Sequence, residues 1–349
     1  MSAGRLTPHG SLALPEFPVD AAWSPDGRSL LAGLADGRIL HLQAAPLQEL
    51  QELRAHSQSL LALAWQKSGR LWASSGQDGR VLLWDARTQE ARLLLQERQW
   101  SERLAFAERG GALAVATGRA LRIYDESGQQ RYQDGSAPGA ISALAWHPRA
   151  AQIAAAGNGG VLLHRAEPAA GVQGKAAAAT AEAPRALRLR GACVCVAFHP
   201  EGRLLAAGLQ EGSVQLWNLA TGSESQLDGY GSRVLVTDWS ANGRYLATAA
   251  ADALVLWDFS ARGTAGPASL RLPAHSERIS AVAFRPGSTW LASAGRDRRL
   301  LWWRAGAGDT PQDAHLLADE CSLLRFSRDG SQLAVGDASG RLTLYRCEP

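Results

Sequence analysis

Residues 56–85 read HSQSLLALAWQKSGRLWASSGQDGRVLLWD. An apolar run ends at Trp65 and is followed by the polar tetrapeptide Gln66-Lys67-Ser68-Gly69. A second short run, Leu71-Trp72-Ala73-Ser74, leads to Asp78-Gly79. A third, Val81-Leu82-Leu83-Trp84, alternates toward the next polar segment. Asp braces a turn through its own side chain and Gly accepts positive φ, so the stretch reads as three antiparallel strands joined by hairpin turns. No window of the chain sustains a helical period.

The unit recurs. Aligning on the aromatic that ends the first strand gives Trp23, Trp65, Phe106, Trp146, Phe198, Trp239, Phe284 and Phe326, at intervals of 40 to 45 residues with one longer step of 52. Related turns follow the anchors, among them Ser24-Pro25-Asp26-Gly27, His199-Pro200-Glu201-Gly202 and Ser327-Arg328-Asp329-Gly330. A fixed period of this length is the mark of a repeat architecture. Twelve Trp against one Met among 349 residues fits a repeated aromatic position, and 46% hydrophobic with 20% charged residues is a globular balance. Eight three-strand copies each need a fourth strand, drawn from segments between copies such as 90–95 and 223–227. Residues 1–14 have no other place and are assigned to the outer strand of the eighth copy, which would remove an exposed sheet edge. Seven copies with an irregular eighth segment is the alternative. The long step carries an Ala-rich stretch, 165–186, read as a surface loop.

The period, together with Trp84-Asp85 and Trp257-Asp258 and the near forms Trp217-Asn218 and Tyr124-Asp125, resembles the WD40-repeat family from about residue 15 to 346. The resemblance implies an all-β, closed β-propeller of eight four-stranded blades forming one domain over 1–349, the N-terminal strand closing the last blade. It also implies buried hydrogen-bond tetrads: His56, Ser74, Asp78 and Trp84 in the second copy, and His275, Ser293, Asp297 and Trp303 in the seventh. Other copies depart, with Glu211 in place of the Asp, Leu42 in place of the Trp, and His164 ending the fourth copy's third strand. Only Lys67 and Lys175 are lysines among 36 basic residues. That arginine bias fits GC-rich coding, and the expectation is a bacterial member.

The motifs that would signal chemistry are missing: G-x-S-x-G, C-x-x-C and H-E-x-x-H do not occur, and Gly171 to Ala176 fails as a phosphate loop. His–Asp pairs that repeat in register are structural, so the chain is read as non-enzymatic and free of cofactors. Lys+Arg 36 against Asp+Glu 33 gives +3, too little to argue for nucleic acid or a membrane surface. The first ten residues hold no apolar signal core, and the most apolar region, 234–257, is broken by Asp238, Arg244 and Asp252, so a cytoplasmic location is expected. Four Cys make no disulfide framework. Cys193 and Cys195, two apart and so on one face of a strand, could hold a metal with His199. The weightier reading is buried packing, because Cys193 and Cys321 stand where other copies carry Leu60, Ile141, Val234 and Ile279.

Function on a rigid propeller lives in its loops, so the chain is expected to be a protein–protein interaction scaffold, a monomer within a complex, for a protein or peptide partner. In the family that the chain resembles, partners dock on the face formed by the loops before the first strand and between the second and third. Here those loops supply Gln58, Arg103, Glu277 and Arg278, then Gln77, Asn158, Gln210 and Arg296, and Arg298 and Arg299 complete a basic patch on the seventh copy. One further position stands out. The residue before the anchor is Ala in six copies but Asp238 in the sixth and Arg325 in the eighth, a polar pair expected to line the channel as an ion pair or as a small-ligand site.

Overall fold

The structure is a computed structural model and describes residues 4–166, 183–260 and 267–348. The described residues contain strands and turns and no helix. In chain order β1 (Arg5–Ala13) is followed by β2 (Pro18–Trp23), β3 (Ser29–Leu34), β4 (Arg38–Ala44) and β5 (Leu47–Arg54). The second unit is β6 (Leu60–Trp65), β7 (Leu71–Gly76), β8 (Arg80–Asp85) and β9 (Ala91–Gln96). The third is β10 (Arg103–Phe106), β11 (Leu113–Thr117), β12 (Ala120–Tyr124) and β13 (Gln130–Asp134). The fourth and fifth share strands: β14 (Ile141–Trp146), β15 (Gln152–Arg165), β16 (Arg185–Phe198), β17 (Leu204–Leu209), β18 (Val214–Asn218) and β19 (Glu224–Leu227). The sixth is β20 (Val234–Trp239), β21 (Tyr245–Ala250), β22 (Ala253–Asp258) and β23 (Ala268–Leu272). The seventh is β24 (Ile279–Phe284), β25 (Trp290–Gly295), β26 (Arg299–Arg304) and β27 (Asp313–Leu316). The eighth is β28 (Cys321–Phe326), β29 (Gln332–Asp337) and β30 (Arg341–Glu348).

These strands make six four-stranded antiparallel sheets and one of six strands. The larger sheet arises because β16 pairs with β15 through Arg185–Ala192 and then with β17 through Cys193–Phe198. Residues 165 and 185–186, assigned to a loop by composition, therefore lie in strands. The remainder of that Ala-rich stretch, 167–182, falls outside the described residues. The fourth strand beside β30 is β1, paired from Arg5 opposite Glu348 to Ala13 opposite Arg341 with a register shift between Pro8 and Gly10.

Apolar side chains cluster between consecutive units rather than inside one. Leu31 and Ile39 pack with Leu60 and Trp72 between the first and second. Tyr245 and Leu256 meet Ile279 and Trp303 between the sixth and seventh. Leu323, Leu342 and Leu344 of the eighth meet Trp23, Leu30 and Leu40 of the first. Each such fully buried large side chain contributes about 1.5–3 kcal/mol, so a unit depends on both neighbours. Trp23 and Trp146 add a bond across the same joints, donating Nε1–H to the carbonyls of Arg325 (2.9 Å) and Ala105 (2.8 Å) on the preceding first strands.

In seven units the first strand shifts register two residues in, for example between Leu60 and Ala62 and between Cys193 and Cys195. Such a bulge bends the strand and breaks its strict alternation. The expectation that Cys193 and Cys195 share a face fails for this reason. Cys193 packs among residues of the fourth and fifth units, whereas the Cys195 thiol donates toward the Val234 carbonyl of the sixth.

Candidate interaction surface

The two His–Asp pairs are buried and saturated. The Trp84 Nε1–H donates to Ser74 Oγ at 3.0 Å, and Ser74 Oγ lies 2.9 Å from His56 Nε2. His56 Nδ1 lies 3.0 Å from Asp78 Oδ1. An indole only donates and a carboxylate only accepts, so the serine hydroxyl donates to Nε2 and the Nδ1–H to the aspartate. The seventh unit repeats this, with Trp303 to Ser293 at 3.0 Å, Ser293 to His275 at 2.9 Å and His275 to Asp297 at 2.9 Å. Burial outweighs the facing carboxylates and holds both histidines below their ordinary pKa. Burial works to raise Asp78 and Asp297, but the His donors and backbone N–H groups prevail and lower them. Neutral imidazole beside ionised carboxylate, with both ring nitrogens and both carboxylate oxygens hydrogen-bonded, is a brace.

The carboxylates also fix the turns above them. Asp78 accepts the N–H groups of Ser57 and Arg80, and Asp297 those of Ser276 and Arg299, each at 3.1 Å. In five units the turn between second and third strands donates an N–H to the residue where the first strand begins: Ala35 to Phe17, Gln77 to Ser59, Gln210 to Ala192, Arg296 to Arg278 and Ala338 to Glu320, at 2.8 to 2.9 Å. A Cβ on Gly79 in such a turn would collide with the Glu97 carbonyl oxygen, which explains the glycine there. These bonds bring Gln58, Gln77, Gln210, Glu277, Arg278 and Arg296 to one face on braced backbone. Asn158 reaches the same face where β15 meets β16 opposite Ala192. Arg103 does not stand free; its guanidinium donates to the carbonyls of Ser142 (2.7 Å) and Glu102 (2.9 Å). Arg299 likewise turns inward to the Ala274 carbonyl, and Arg296 lies 3.3 Å from Glu320. The basic patch read from Arg296, Arg298 and Arg299 is thus reduced to Arg298.

Asp238 and Arg325 do not meet. Arg325 donates to Asp20 Oδ1 at 2.8 Å, while Asp20 Oδ2 accepts the Leu63 N–H at 2.9 Å. Asp20 therefore clasps the eighth, first and second units. Asp238 accepts the N–H groups of Phe284 (2.6 Å) and Trp239 (2.9 Å), and burial pushes its carboxyl up to about 6. Each Asp thus satisfies a first-strand N–H of the following unit that has no strand partner to take it.

The metal alternative finds no ligand set. His199 uses Nδ1 for the Glu201 N–H and Nε2 with the Gly243 carbonyl, both at 3.1 Å. Burial raises the Cys193 thiol well above the ordinary range and Cys195 to about 11, so both are held protonated. Among the described residues no cluster of three His, Cys, Asp or Glu could hold a metal ion.

Three features escaped the sequence reading. In the sixth unit the Trp257 Nε1–H donates to Tyr230 Oη (2.8 Å) and Thr248 Oγ1 (3.1 Å), and Tyr230 bonds Thr248. This replaces His and Ser with Tyr and Thr. In the third unit Ser101 bonds Thr117 at 2.7 Å in the same place. The loop before β10 exposes Trp100 beside a groove of about 310 Å³ lined by Arg98, Glu102, Gly118 and Ser142. An exposed Trp on a loop gives a signal in sequence only once the loop's face is known.

Comparison with known proteins agrees with this architecture. Residues 47–85, 187–218 and 267–304 match the family described as WD domain, G-beta repeat. WD repeat-containing protein slp1 of Schizosaccharomyces pombe is 21% identical over 84% of this chain and 51% of its own length. Pre-mRNA-processing factor 19 of Oryza sativa subsp. japonica is 33% identical over 42% of this chain and 29% of its length. THO complex subunit 3 of Arabidopsis thaliana is 25% identical over 34% of this chain and 38% of its length. The chain spans about half the length of the first of these relatives and less of the others. All three are eukaryotic, so the bacterial origin expected from the arginine bias gains no support. The crystal structure of the computationally designed Ika8 protein superposes with a TM-score of 0.76 at 19% identity, covering 97% of this chain and 99% of that one, which is a likeness of fold. The chain therefore carries WD40 repeats, matched in these three segments, and its described residues form an all-β, antiparallel fold.

Proposed function

We propose that this chain is a member of the WD40-repeat family that works as a non-catalytic scaffold, a closed eight-bladed propeller presenting its upper loops to a protein partner. Closure is supported by the pairing of β1 with β30, by the apolar cluster joining the eighth unit to the first, and by the Asp20–Arg325 clasp. The observation that carries the functional reading is the upper face itself. Turn after turn is bonded to the neighbouring loop and braced from below, so polar side chains such as Gln58, Gln77, Gln210 and Glu277 project from a backbone that loses little freedom on binding. The two buried His–Asp pairs, the arrangement most like acid–base machinery, are spent on that bracing. The relatives include proteins named as a pre-mRNA-processing factor and a complex subunit, which favours a place within an assembly. All four cysteines are unpaired, which favours a reducing compartment such as the cytoplasm.

A photo-crosslinking residue placed at Gln58 or Glu277 on the upper face is expected to capture a partner in native extract. The same probe at Glu201 or Ala241, in the first-hairpin turns below, is expected to capture none. Capture from the lower positions alone would overturn the reading.

A further inference from the structure

We infer that the seventh unit's upper edge receives an acidic protein segment, whose carboxylates are bound by Arg233, Arg278 and Arg298. This rests on the scaffold reading and adds the chemistry of the partner.

The first observation is the backbone at Arg298. The second residue of this turn is glycine in the first, second and eighth units, with φ of 88° at Gly37, 76° at Gly79 and 82° at Gly340. Each of those glycines must hold the left-handed region because its carbonyl accepts a distant N–H. The donors are His56 to Gly37 (3.1 Å), Glu97 to Gly79 (3.0 Å) and Leu14 to Gly340 (2.8 Å). The seventh unit keeps the same bond, Leu317 N–H to the Arg298 carbonyl at 2.7 Å, and the same conformation, φ 60°, but with an arginine. A Cβ is disfavoured there, and glycine would serve the fold better. Nothing inside the molecule repays the strain, since the exposed Arg298 guanidinium makes no hydrogen bond or ion pair among the described residues. Gln89 and Ala251 also hold a positive φ without being glycine, at 58° and 49°, but of the three only Arg298 carries a charged side chain, and that charge has no partner among the described residues.

The second observation is the company that this arginine keeps. The Arg296 N–H to Arg278 carbonyl bond joins its turn to the start of β24, and the Ile279 N–H to Ala251 carbonyl bond (2.7 Å) joins that point to the sixth unit, where Arg233 precedes β20. Arg278 is exposed and has no acid partner among the described residues. Partial desolvation, then the facing charges of Arg233 and Arg296, lower its pKa. The acids of this edge that have partners are taken, Asp297 by His275 and Glu320 by Arg296. The Arg278 guanidinium faces those of Arg233 and Arg296, two residues before Arg298, and carboxylates presented in forked geometry would relieve the repulsion among them. Nucleic acid fits less well. The net charge is only +3, and the Asp252, Glu277 and Asp319 carboxylates at the same edge, which repel any anion, confine the site to a short segment reaching the arginines rather than a continuing phosphate backbone.

The test uses the full chain and a short fluorescein-labelled Glu-rich peptide, with its Gln counterpart and a labelled oligouridylate as comparators, read by anisotropy at low and physiological salt. The Glu peptide is expected to bind, more weakly as salt rises, and the Gln peptide to bind at least about tenfold more weakly. Arg298→Gly is the discriminating variant: binding falls at least about fivefold while the melting temperature stays level or rises. Arg278→Ala with Arg233→Ala weakens binding further, and Arg70→Ala on the lower face leaves it unchanged. The inference is overturned if the two peptides bind alike, if the oligouridylate binds more tightly, or if Arg298→Gly destabilises the chain without touching binding. If Glu277 still crosslinks a partner while the Glu peptide fails to bind, the acidic-segment inference falls and the scaffold reading stands.

Discussion

Replacing His275 by Ala removes the middle of a buried chain that runs from Trp303 through Ser293 to Asp297. The imidazole is fully buried and the Asp297 side chain is 3% exposed. The Ser293 hydroxyl loses its acceptor, which costs about 1–3 kcal/mol for a buried polar group. Asp297 keeps only the N–H groups of Ser276 and Arg299, so a carboxylate remains buried and undersatisfied. Breaking one side of such a pair costs about 3–5 kcal/mol where the survivor cannot reach water, and the imidazole-sized void acts in the same direction. These contributions overlap, so the expected loss is about 3–5 kcal/mol in all. Urea titration of the full chain reads it as a lowered midpoint at unchanged slope. The exposed Arg271→Ala serves as the control and should stay within about 0.5 kcal/mol. Asp297→Ala on the His275→Ala background should cost clearly less than on the native one, because the orphaned carboxylate is then gone. A loss below about 1 kcal/mol, or two strictly additive substitutions, would refute the bracing argument.

Asp20→Ala should destabilise by about 2–3 kcal/mol, since it strands the Leu63 N–H, whereas Arg325→Ala, half-exposed, should cost under about 1 kcal/mol; equal losses in thermal melts would count against the clasp. The depressed pKa values of His56 and His275 mean that the unfolded chain takes up their protons first. Their stabilisation is thus whole above about pH 6.5 and fades as pH falls, followed by that of Asp78 and Asp297 below about pH 4. Melting temperature should therefore drop on acidification, and the double variant His56→Gln and His275→Gln should flatten the upper part of that fall. Asp238 runs the other way. Its folded-state carboxyl near 6 favours the protonated fold, so its contribution is whole below about pH 4 and is lost as pH rises through 6. The stability of wild type relative to Asp238→Ala should shrink over that interval, and a constant difference would show that the carboxyl is not buried as described.

Much of this was legible because it is periodic. The anchors and the turn tetrapeptides recur in register, and local turn chemistry with period-two apolar runs is enough to find them, while the His–Ser–Asp–Trp sets came from the family resemblance. Pairings that need the whole arc of the molecule were not legible. Arg325 reads as an oddity on its own strand, and its partner Asp20 lies 305 residues away, brought near only because the eighth unit packs on the first. The Tyr230–Thr248–Trp257 network hid behind a change of residue types that keeps the donor and acceptor logic while losing the letters. The Cys193–Cys195 misreading had a local cause, since a bulge leaves no mark that simple alternation can detect. The basic patch was overcounted because the sequence shows charges but not the carbonyls and carboxylates that Arg299 and Arg296 already engage.

The proposed scaffold requires the first and last strands to pair and hold the array of sheets together. Amide hydrogen exchange across Arg341–Glu348, compared between the full chain and a chain beginning at Pro15, addresses this directly. With β1 in place the amides of β30 should be protected to the level of the interior strands β7 and β21, and removing residues 1–14 should release β30 together with its neighbours β29 and β2. Exchange of β30 in the full chain at the rate of an open edge, or protection indifferent to the loss of β1, would contradict the account.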